Sequence, residues 1–419
     1  MPGLLSVFSF EPGWPLYVYA KYGLLTLQNR GEEKKILCMN ANSGVECRDL
    51  YEWSSTKNIS NGFIAGVFNS VDLDGYIYWN DKLAVITDRR FKEISELADS
   101  IEKLISEDAL WRSIEKVLSD FNGKEIPSFI AITKNGDEVI YRSPLGLTPL
   151  SIGGYGFDLL IASSESSTIE VLDADVRRYL KPGEGVVVSR NYLRFFQVER
   201  SRIWKICAFE LLYTSRHDSL IDGIGVYEFR KTLGARLSRQ LQSENIDIVL
   251  GVPETAIPYA IGLAQASSKP FEQAFIPTPV RSRSMLKNNP LERLIAIHLK
   301  LNPVKSVLEG KRVAVVDDSM VTGATLKSVS QILRNRVGVR ELHLFIASPK
   351  IIKECPYRIF EFNKDCLISA NLDDELLRKY LEVDSVNWLD LESLNDVARM
   401  YNCKLCGSCF GREVLGVDQ

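Results

Sequence analysis

The sequence predicts a protein of mixed α+β and α/β class with at least two large domains. Its 419 residues correspond to two or three domains at roughly 150 residues each. In the first half, short apolar runs separated by turn residues indicate strands. After residue 206, buried-strand runs alternate with helical segments, which is typical of a parallel sheet. Hydrophobic residues at 45% and charged residues at 25% match globular averages, so long disorder is not expected.

The charge balance excludes several kinds of partner. With 51 Lys plus Arg against 54 Asp plus Glu, the chain has no general field for nucleic acid or an anionic membrane. Its longest stretch without a charged residue, 143–157, is shorter than the roughly 20 residues of a membrane-spanning helix. No basic residue precedes the apolar run at the N-terminus, so no secretory signal is predicted. We therefore expect a soluble, cytoplasmic protein that binds neither nucleic acid nor membrane.

Individual elements follow from apolar spacing. The stretch 90–121 has apolar residues at helical intervals and predicts a helix. In the first half, strands are predicted at Leu4–Phe10, Gly62–Phe68, Lys82–Thr87, Phe129–Thr133 and Phe157–Ala162. In the second half, strands at 246–253, 311–318 and 341–348 alternate with helical segments at 228–241 and 325–335.

One segment of the second half indicates a chemical function. Residues 312–325 form a predicted buried strand that ends in Asp317 and Asp318, then a turn rich in Gly and hydroxyl groups that opens a helix. Backbone N–H groups and the helix dipole at such a turn favour a phosphate. The two carboxylates can accept hydrogen bonds from sugar hydroxyls. The pattern predicts a ribose 5-phosphate site, although a turn that only caps a helix has the same local features.

This motif resembles the phosphoribosyl-pyrophosphate (PRPP) signature of type I phosphoribosyltransferases. The resemblance implies that Asp317 and Asp318 bind the ribose hydroxyls and reach Mg²⁺ only indirectly, through the substrate. It also implies that PRPP is held by the turn and by a second segment, Gly251–Thr255. The remaining residues assigned to PRPP in this way are Ser319, Val321, Thr322, Gly323, Ala324, Thr325, Pro253, Glu254 and Thr255.

Further motifs, in the same order along the chain, resemble those of glutamine amidophosphoribosyltransferases, which catalyse the first committed step of purine synthesis. They are YGLLTLQNRGEE (22–33), YRSPLGLTPLSIGG (141–154), SSES (163–166), FELLYTSRHDS (209–219) and GVPET (251–255). The resemblance implies an N-terminal-nucleophile-type αββα sandwich over residues 1–205, of the class II glutamine amidotransferase kind. It implies a type I phosphoribosyltransferase α/β domain over 206–400 and a Cys-rich tail over 401–419.

The residues that hydrolyse glutamine in that family are not kept. Leu5, in LLSVFSF, stands where the family's CGVFGI has its nucleophilic cysteine, and no cysteine precedes Cys38. Phe68 takes the position of the arginine in the family's HVRYST, and its HNG segment has no counterpart near residues 83–90. Ser6 and Thr26 carry hydroxyls, but no base is expected near either. We therefore expect no catalytic residue in the glutaminase half.

The pyrophosphate side of the predicted site is also altered. In the family, a loop with basic residues closes over pyrophosphate, and Arg283 falls on one of its arginines, so Arg283 is the candidate catalytic residue. Pro277 and Pro279 occupy two basic positions. This matters because the main contribution of the protein to this reaction is to neutralise the charge of the leaving pyrophosphate. Basic residues that compensate, or that form only a solvated face, are Arg281, Lys287 and Lys300.

Eight cysteines in a chain expected to be cytoplasmic favour free, metal-bound or catalytic thiols over disulfides. The resemblance implies a structural [4Fe–4S] cluster with four ligands, Cys207, Cys355, Cys406 and Cys409. A CxxC pair with two remote cysteines also suits zinc, and unligated buried cysteines are a third interpretation. Cys403 is a substitute ligand, and Cys366 is expected in the core.

The resemblance implies PRPP and ammonia as substrates, 5-phosphoribosylamine as product and Mg²⁺ as cofactor. Without its own glutaminase, the chain would take ammonia from solution or from a partner subunit. The alternative is a catalytically silent, PRPP- or nucleotide-binding regulatory subunit of an intact amidophosphoribosyltransferase. Transfer of phosphoribose to a nucleobase is a weaker interpretation. A homo-oligomer, or a hetero-oligomer with a glutaminase-competent homologue, is expected, and purine nucleotides are candidate ligands.

Overall fold

The computed structural model describes residues 1–53, 61–107, 109–121, 125–198, 205–243, 245–278, 295, 299, 301–360, 362–412 and 414–415. The chain divides into two compact units, residues 1–210 with 214–225, and residues 211–213 with 226–419. The first unit thus extends past the expected boundary at 205, since Leu220 N, for example, donates to Ser166 Oγ at 2.7 Å. The expected tail, 401–419, is part of the second unit. None of the described helices is long and apolar enough to span a membrane.

Two antiparallel sheets form the first unit. Its strands are β1 (Gly3–Ser9), β2 (Lys34–Ala41), β3 (Gly44–Asp49), β4 (Gly62–Phe68), β5 (Ile77–Trp79), β6 (Leu83–Thr87), β7 (Phe129–Thr133), β8 (Glu138–Tyr141), β9 (Ser151–Tyr155), β10 (Leu159–Ser163), β11 (Asp175–Tyr179), β12 (Glu184–Ser189), β13 (Tyr192–Gln197), β14 (Ile206–Cys207), β15 (Leu220–Ile221) and β16 (Ile224–Gly225). The spatial orders are β11-β9-β10-β1-β4-β2-β3 and β13-β12-β8-β7-β6-β5.

Helices cover the outer faces of both sheets. They are α1 (Leu16–Thr26), α2 (Ile94–Ser106), α3 (Leu110–Asp120) and α4 (Ser166–Val171). The helices α1 and α4 pack on the seven-stranded sheet, and α2 and α3 pack on the six-stranded one. The helix predicted over 90–121 is therefore two helices. Between the sheets, Phe8 and Ile64 pack in one apolar core with Ile130 and Ile140. This αββα order of layers is the one that the resemblance implies.

The second unit is built on a parallel sheet of order β17-β20-β21-β22. Its elements are α5 (Val226–Leu237), β17 (Ile248–Gly251), α6 (Ile257–Ser267), β18 (Phe275–Ile276), β19 (Asn302–Pro303), α7 (Lys305–Leu308), β20 (Arg312–Asp317), α8 (Ala324–Gln331), β21 (Glu341–Ile346), α9 (Ile368–Asn371), α10 (Asp374–Leu381), β22 (Ser385–Trp388), α11 (Leu391–Met400), β23 (Leu405–Cys406) and β24 (Val414–Leu415). Leu326 of α8 and Leu377 of α10 pack on one face of the sheet. The three predicted strands are confirmed as β17, β20 and β21.

Two expectations about cysteines are wrong. Cys38 and Cys47 form a disulfide, because they are directly opposed residues of the antiparallel pair β2 and β3, with Cα atoms 4.1 Å apart. Cys366 is exposed rather than in the core, since it belongs to a short 3₁₀ turn, Lys364–Cys366, with no buried residue.

Candidate functional site

The two segments assigned to PRPP leave neighbouring strands. The strands β17 and β20 are adjacent and parallel, so residues 252–255 and 318–323 emerge side by side at the carboxyl edge of the sheet. This edge is where open α/β sheets bind ligands. The hydroxyl of Thr255 donates to Asp318 Oδ2 and joins the two segments. The structure therefore brings the predicted PRPP residues of both segments to one place.

The two carboxylates at the end of β20 are buried but not equivalent. Asp318 accepts hydrogen bonds from Ser319 Oγ at 2.6 Å and from Thr255 Oγ1, whereas Asp317 Oδ1 accepts one from the Asp318 backbone N at 3.0 Å. Burial raises the pKa of both acids, and the Asp318 charge raises that of Asp317 further. At Asp318 the two hydroxyls and the Arg230 guanidinium oppose the rise. Asp318 is therefore the acid of the pair that favours its ionised form.

A buried arginine and a tyrosine support these acids. Arg230 lies on α5 with no exposed surface, and its Nε donates to Leu211 O at 2.7 Å. The hydroxyl of Tyr259, on α6, donates to Leu212 O at 2.8 Å, and burial raises the pKa of Tyr259. A guanidinium in such a low-dielectric setting stabilises a nearby carboxylate more strongly than it would in water.

The turn after the carboxylates is open to solvent. Thr322, Ala324 and Thr325 are exposed, and Ala324 N lies 3.3 Å from Thr322 Oγ1. Gly323 has φ +73°, a conformation that glycine adopts without steric cost, and this lets the chain enter α8 directly. Exposed backbone N–H groups at the start of a helix form a favourable site for a phosphate.

The predicted pyrophosphate loop is only partly described. Pro277 is exposed just after β18. Pro279, Arg281, Arg283, Lys287 and Lys300 lie outside the described residues, so the role assigned to Arg283 stays a prediction.

At the position that the resemblance gives to the nucleophile, the first unit buries a leucine. Leu5 has no exposed surface and is paired on both sides within the sheet, with Ala65 of β4 and Ser163 of β10. Its nitrogen is in the peptide bond with Leu4. A Cβ atom on Gly23 of α1 would lie only 2.6 Å from Leu5 Cδ2, so the helix packs tightly against this side chain. Position 5 therefore offers neither a thiol nor a free amine.

Phe68 and strand β6, the other places expected to contact glutamine, are also buried. Phe68 is fully buried, with its ring 5.6 Å from that of Tyr76, in the interior between the sheets. Residues 83–87 form β6, in which every residue is buried. A guanidinium that could bind a substrate carboxylate is therefore absent from position 68.

Ser6 lies beside a buried carboxylate. Ser6 Oγ donates to Glu138 Oε2 at 2.5 Å, across the interior between β1 and β8, a long-range contact that the sequence does not reveal. Both side chains are fully buried, and burial raises the pKa of Glu138 well above its ordinary value. Burial thus favours the protonated form of Glu138, which cannot act as a general base. Thr26 donates to Gly23 O at 2.7 Å and lies beside the Thr168 hydroxyl.

Three of the quoted motifs meet at one buried ion cluster. Arg30, from the NRG stretch, places Nε 2.7 Å from Glu165 Oε1 and an Nη atom 2.7 Å from Glu210 Oε2. Glu165 comes from SSES and Glu210 from FELLYTSRHDS, and all three side chains are fully buried. The sequence alone assigns no role to these residues. The shared order of the motifs was the available signal that they meet.

Three of the four predicted cluster ligands belong to the second unit. Cys355, Cys406 and Cys409 are free thiols of the second unit. Burial raises the pKa of Cys409 to about 12, and the neighbouring Cys406 and Cys355 add to the rise. Cys207 belongs to the first unit. In the part of the chain that the structure describes, no three His, Cys, Asp or Glu side chains are arranged to hold a metal ion.

This architecture places the chain among proteins that join an N-terminal-nucleophile sandwich to a type I phosphoribosyltransferase fold. No family model matches the sequence. It is 31% identical over 347 residues to the amidophosphoribosyltransferase of Synechococcus elongatus, which covers 81% of this chain and 68% of the relative. It is also 31% identical over 385 residues to that of Methanocaldococcus jannaschii, covering 87% and 78%. The chain belongs to the amidophosphoribosyltransferase family.

Solved structures agree with this assignment. The glutamine PRPP amidotransferase of B. subtilis, complexed with ADP and GMP, superposes with a TM-score of 0.80 at 27% identity, covering 98% of this chain and 97% of that one. A structure described as the allosteric regulatory enzyme of purine biosynthesis gives a TM-score of 0.81 at 25% identity, covering 98% and 96%. The fold class expected from the sequence is therefore confirmed.

Proposed function

We propose that this protein binds PRPP and forms 5-phosphoribosylamine from ammonia, while its glutaminase site is inactive. The proposal depends on one contrast between the two units. The strand, acid pair and turn assigned to PRPP are intact and open at the carboxyl edge of the parallel sheet, whereas the nucleophile position of the other unit is a fully buried leucine.

In the proposed reaction, ammonia displaces pyrophosphate from PRPP. Asp317 and Asp318 accept hydrogen bonds from the ribose hydroxyls, and Asp318 does so as the charged partner. The exposed turn 319–325 holds the 5-phosphate through its amides and hydroxyls. Mg²⁺ would neutralise charge on the diphosphate, and the two acids reach it only through the substrate. These groups fix the sugar and its phosphate, so the protein contributes mainly position and electrostatics.

Loss of the glutaminase determines where the nitrogen comes from. Position 5 offers no thiol and no free amine, and position 68 offers no guanidinium. The chain therefore depends on free ammonia or on ammonia supplied by a partner subunit that keeps the glutaminase. A homo-oligomer, or a hetero-oligomer with such a homologue, is part of the proposal. Purine nucleotides are proposed ligands because the B. subtilis relative was solved with ADP and GMP.

A second candidate is a catalytically silent regulatory subunit that binds PRPP or nucleotide. It is favoured by the two prolines at basic positions of the pyrophosphate loop, Pro277 and Pro279. The enzymatic candidate requires PRPP to bind and turn over, whereas the regulatory candidate requires only that PRPP or a nucleotide binds.

We also propose that Cys207, Cys355, Cys406 and Cys409 hold a structural [4Fe–4S] cluster, with zinc as the alternative. The proposal is supported by the nearness of Cys355 and Cys406 to Cys409, whose pKa both thiols raise, since clustered thiols suit either group. Metal and sulfide analysis of anaerobically purified protein distinguishes the two. Loss of the bound iron in Cys409→Ser, but not in Cys366→Ser, is the expected result.

The experiment that tests the function is pyrophosphate release from PRPP with Mg²⁺, in ammonium chloride and in sodium chloride of equal ionic strength. We expect ammonium-dependent release. Retained PRPP binding without release would overturn the enzymatic proposal and favour the silent subunit. Absence of PRPP binding would also overturn the enzymatic proposal, and absence of both PRPP and nucleotide binding would overturn the regulatory candidate as well.

A further inference from the structure

A chain of buried hydroxyls in the first unit ends at a carboxylate. We call Asp88, Ser128, Ser143 and Thr148 the Asp88 cluster. They are 4%, 1%, 4% and 4% exposed. Asp88 directly follows β6, Ser128 directly precedes β7, and Ser143 and Thr148 lie in the segment after β8. Four polar side chains from three parts of the sequence are thus gathered at one end of the six-stranded sheet.

The hydroxyls of the Asp88 cluster are linked to its carboxylate. Ser143 N donates to Ser128 Oγ at 3.1 Å, and Thr148 Oγ1 donates to Asp88 Oδ2. Ser128 Oγ and Thr148 Oγ1 lie 3.1 Å apart. Hydrogen bonds from Thr148 and Ser128 oppose the rise in the pKa of Asp88 that burial causes, so both hydroxyls favour its ionised form.

Two oxygen atoms of the cluster have no partner. Among the residues that the structure describes, Asp88 Oδ1 and Ser143 Oγ are buried side-chain atoms without a hydrogen bond. A buried charged oxygen without a donor is costly, and nearly all buried polar groups in proteins are paired. The burial that causes this also raises the pKa of Asp88. A small, fully enclosed hydrogen-bond donor would therefore satisfy these two oxygen atoms.

The buried guanidinium groups of Arg30 and Arg142 are bound by carboxylates other than Asp88. Arg30 is bound by Glu165 and Glu210, and Arg142, whose Nε donates to Thr148 O at 3.0 Å, is bound by Asp222. The charge of Glu210 adds to the rise in the Asp88 pKa. A positive ligand is therefore favoured over a neutral or negative one.

Two nearby cationic groups do not fill this role. Arg89 lowers the pKa of Asp88, but its guanidinium donates to Glu125 O at 2.6 Å and lies 4.0 Å from the Glu125 carboxylate. The amine of Met1 interacts with Asp88 as well, and burial lowers its pKa to about 6. It is therefore mostly uncharged at pH 7.5.

We propose that the Asp88 cluster is a binding site for ammonium, with Asp88 Oδ1 and Ser143 Oγ as its acceptors. The inference rests on the proposed function, in which ammonia is the nitrogen source. Ammonium carries the positive charge that the site lacks and donates four hydrogen bonds, so it satisfies both unpartnered oxygens at once. Water can donate to both, but it leaves the carboxylate charge uncompensated. Potassium has similar charge and size but donates no hydrogen bond.

The test is the thermal unfolding of the full chain at pH 7.5 in ammonium, potassium and sodium chloride at matched ionic strength. Binding to the native state alone stabilises it. At ten times its dissociation constant, ammonium is expected to raise the Tm by roughly 2–3 °C over sodium. Asp88→Asn is expected to abolish this increment, and Ser143→Ala to reduce it. The matched control, Asp120→Asn, changes an exposed carboxylate at the end of α3 and keeps the full increment.

Equal Tm values in ammonium and sodium, an equal rise in potassium, or an unchanged increment in both Asp88→Asn and Ser143→Ala would overturn the proposal. A kinetic measurement distinguishes failure of the ammonium site from failure of the proposed function. If ammonium drives pyrophosphate release, Ser143→Ala should raise the KM for ammonium several-fold and leave the KM for PRPP unchanged. If release is absent but the ammonium-specific Tm increment is present, the proposed reaction is wrong and the ammonium site is supported.

Discussion

Adjacent acids at the end of β20 have different surroundings. Asp318 receives two hydroxyl donors and lies near the Arg230 guanidinium, whereas Asp317 accepts a backbone N–H. Since hydrogen bonds to an ionised acceptor are stronger than those to a neutral one, we expect Asp318 to contribute more to ribose binding.

The first prediction concerns this residue. Asp318→Asn removes the charged acceptor and is expected to weaken PRPP binding about 10- to 100-fold, the range of a lost hydrogen bond to a charged group. Isothermal titration calorimetry with Mg²⁺ measures it. The matched control is Asp247→Asn, which removes the partner of Arg312 at the opposite end of β20. Equal losses of affinity in the two variants would contradict the account of the site.

The second prediction concerns Glu138, whose pKa is raised by burial well above its ordinary value of 4.5. The folded state retains a proton that the unfolded state releases, so stability is full below pH 4.5 and falls as the pH rises toward the folded-state pKa. The fall for one group is at most about 1.4 kcal/mol per pH unit. Glu138→Gln keeps a partner for Ser6 and removes the titration.

Thermal or urea unfolding between pH 5 and pH 9 measures this effect. We expect the stability of the unmodified protein to decline with pH more steeply than that of Glu138→Gln, and the variant to be the more stable at alkaline pH. Parallel pH profiles for the two proteins would show that Glu138 does not hold its proton.

At the scale of elements, the entry into α8 depends on one glycine. Gly323 has φ +73°, and a Cβ atom there would lie 2.8 Å from Ile368 Cδ1. Gly338 has a similar φ of +80°, but no atom lies within 4 Å of an added Cβ. Each Gly→Ala change is expected to cost about 1–2 kcal/mol of stability through backbone strain.

The third prediction follows from that comparison. Gly323→Ala is expected to lower PRPP affinity at least about 10-fold, because it displaces the amides that face the phosphate, whereas Gly338→Ala is expected to leave it unchanged. Urea unfolding gives the stability of both variants, and calorimetric titration gives their affinity. A normal affinity in Gly323→Ala would mean that the turn does not hold the phosphate.

The sequence predicts local elements better than long-range contacts. The strand that ends in Asp317 and Asp318 was predictable because a buried apolar run, an acid pair and a glycine-rich turn are all local signals. The Ser6–Glu138 contact and the Arg30–Glu165–Glu210 cluster were not, since each joins residues more than 100 positions apart. The disulfide was missed for a different reason. Cysteines of a cytoplasmic protein are expected to stay reduced. The register that places Cys38 opposite Cys47 in β2 and β3 is not specified by any residue pattern.

At the scale of the whole molecule, the two units differ at the positions assigned to the family motifs. The second has an open site with paired acids, and the first has a buried strand at position 5. The apolar cores of the αββα fold include Leu5 and Phe68 themselves, so the fold does not require a thiol or a guanidinium at these positions. A fold of this kind can therefore be kept without the activity.

The fourth prediction tests how far the glutaminase has been lost. Leu5→Cys restores the thiol, but position 5 still lacks a free amine and is fully buried, and Phe68 still replaces the arginine. We expect no release of glutamate from glutamine. Leu4→Cys, a buried thiol at the neighbouring position, is the control for reactivity of an introduced cysteine. Turnover by Leu5→Cys alone would show that the remaining site is competent.

The most direct measurement is pyrophosphate release from PRPP by the anaerobically purified protein, with glutamine as the sole nitrogen donor in one reaction and ammonium in the other. The account predicts release with ammonium and none with glutamine. Comparable rates with the two donors would contradict it, because a buried Leu5 would then not have ended glutamine hydrolysis in this chain.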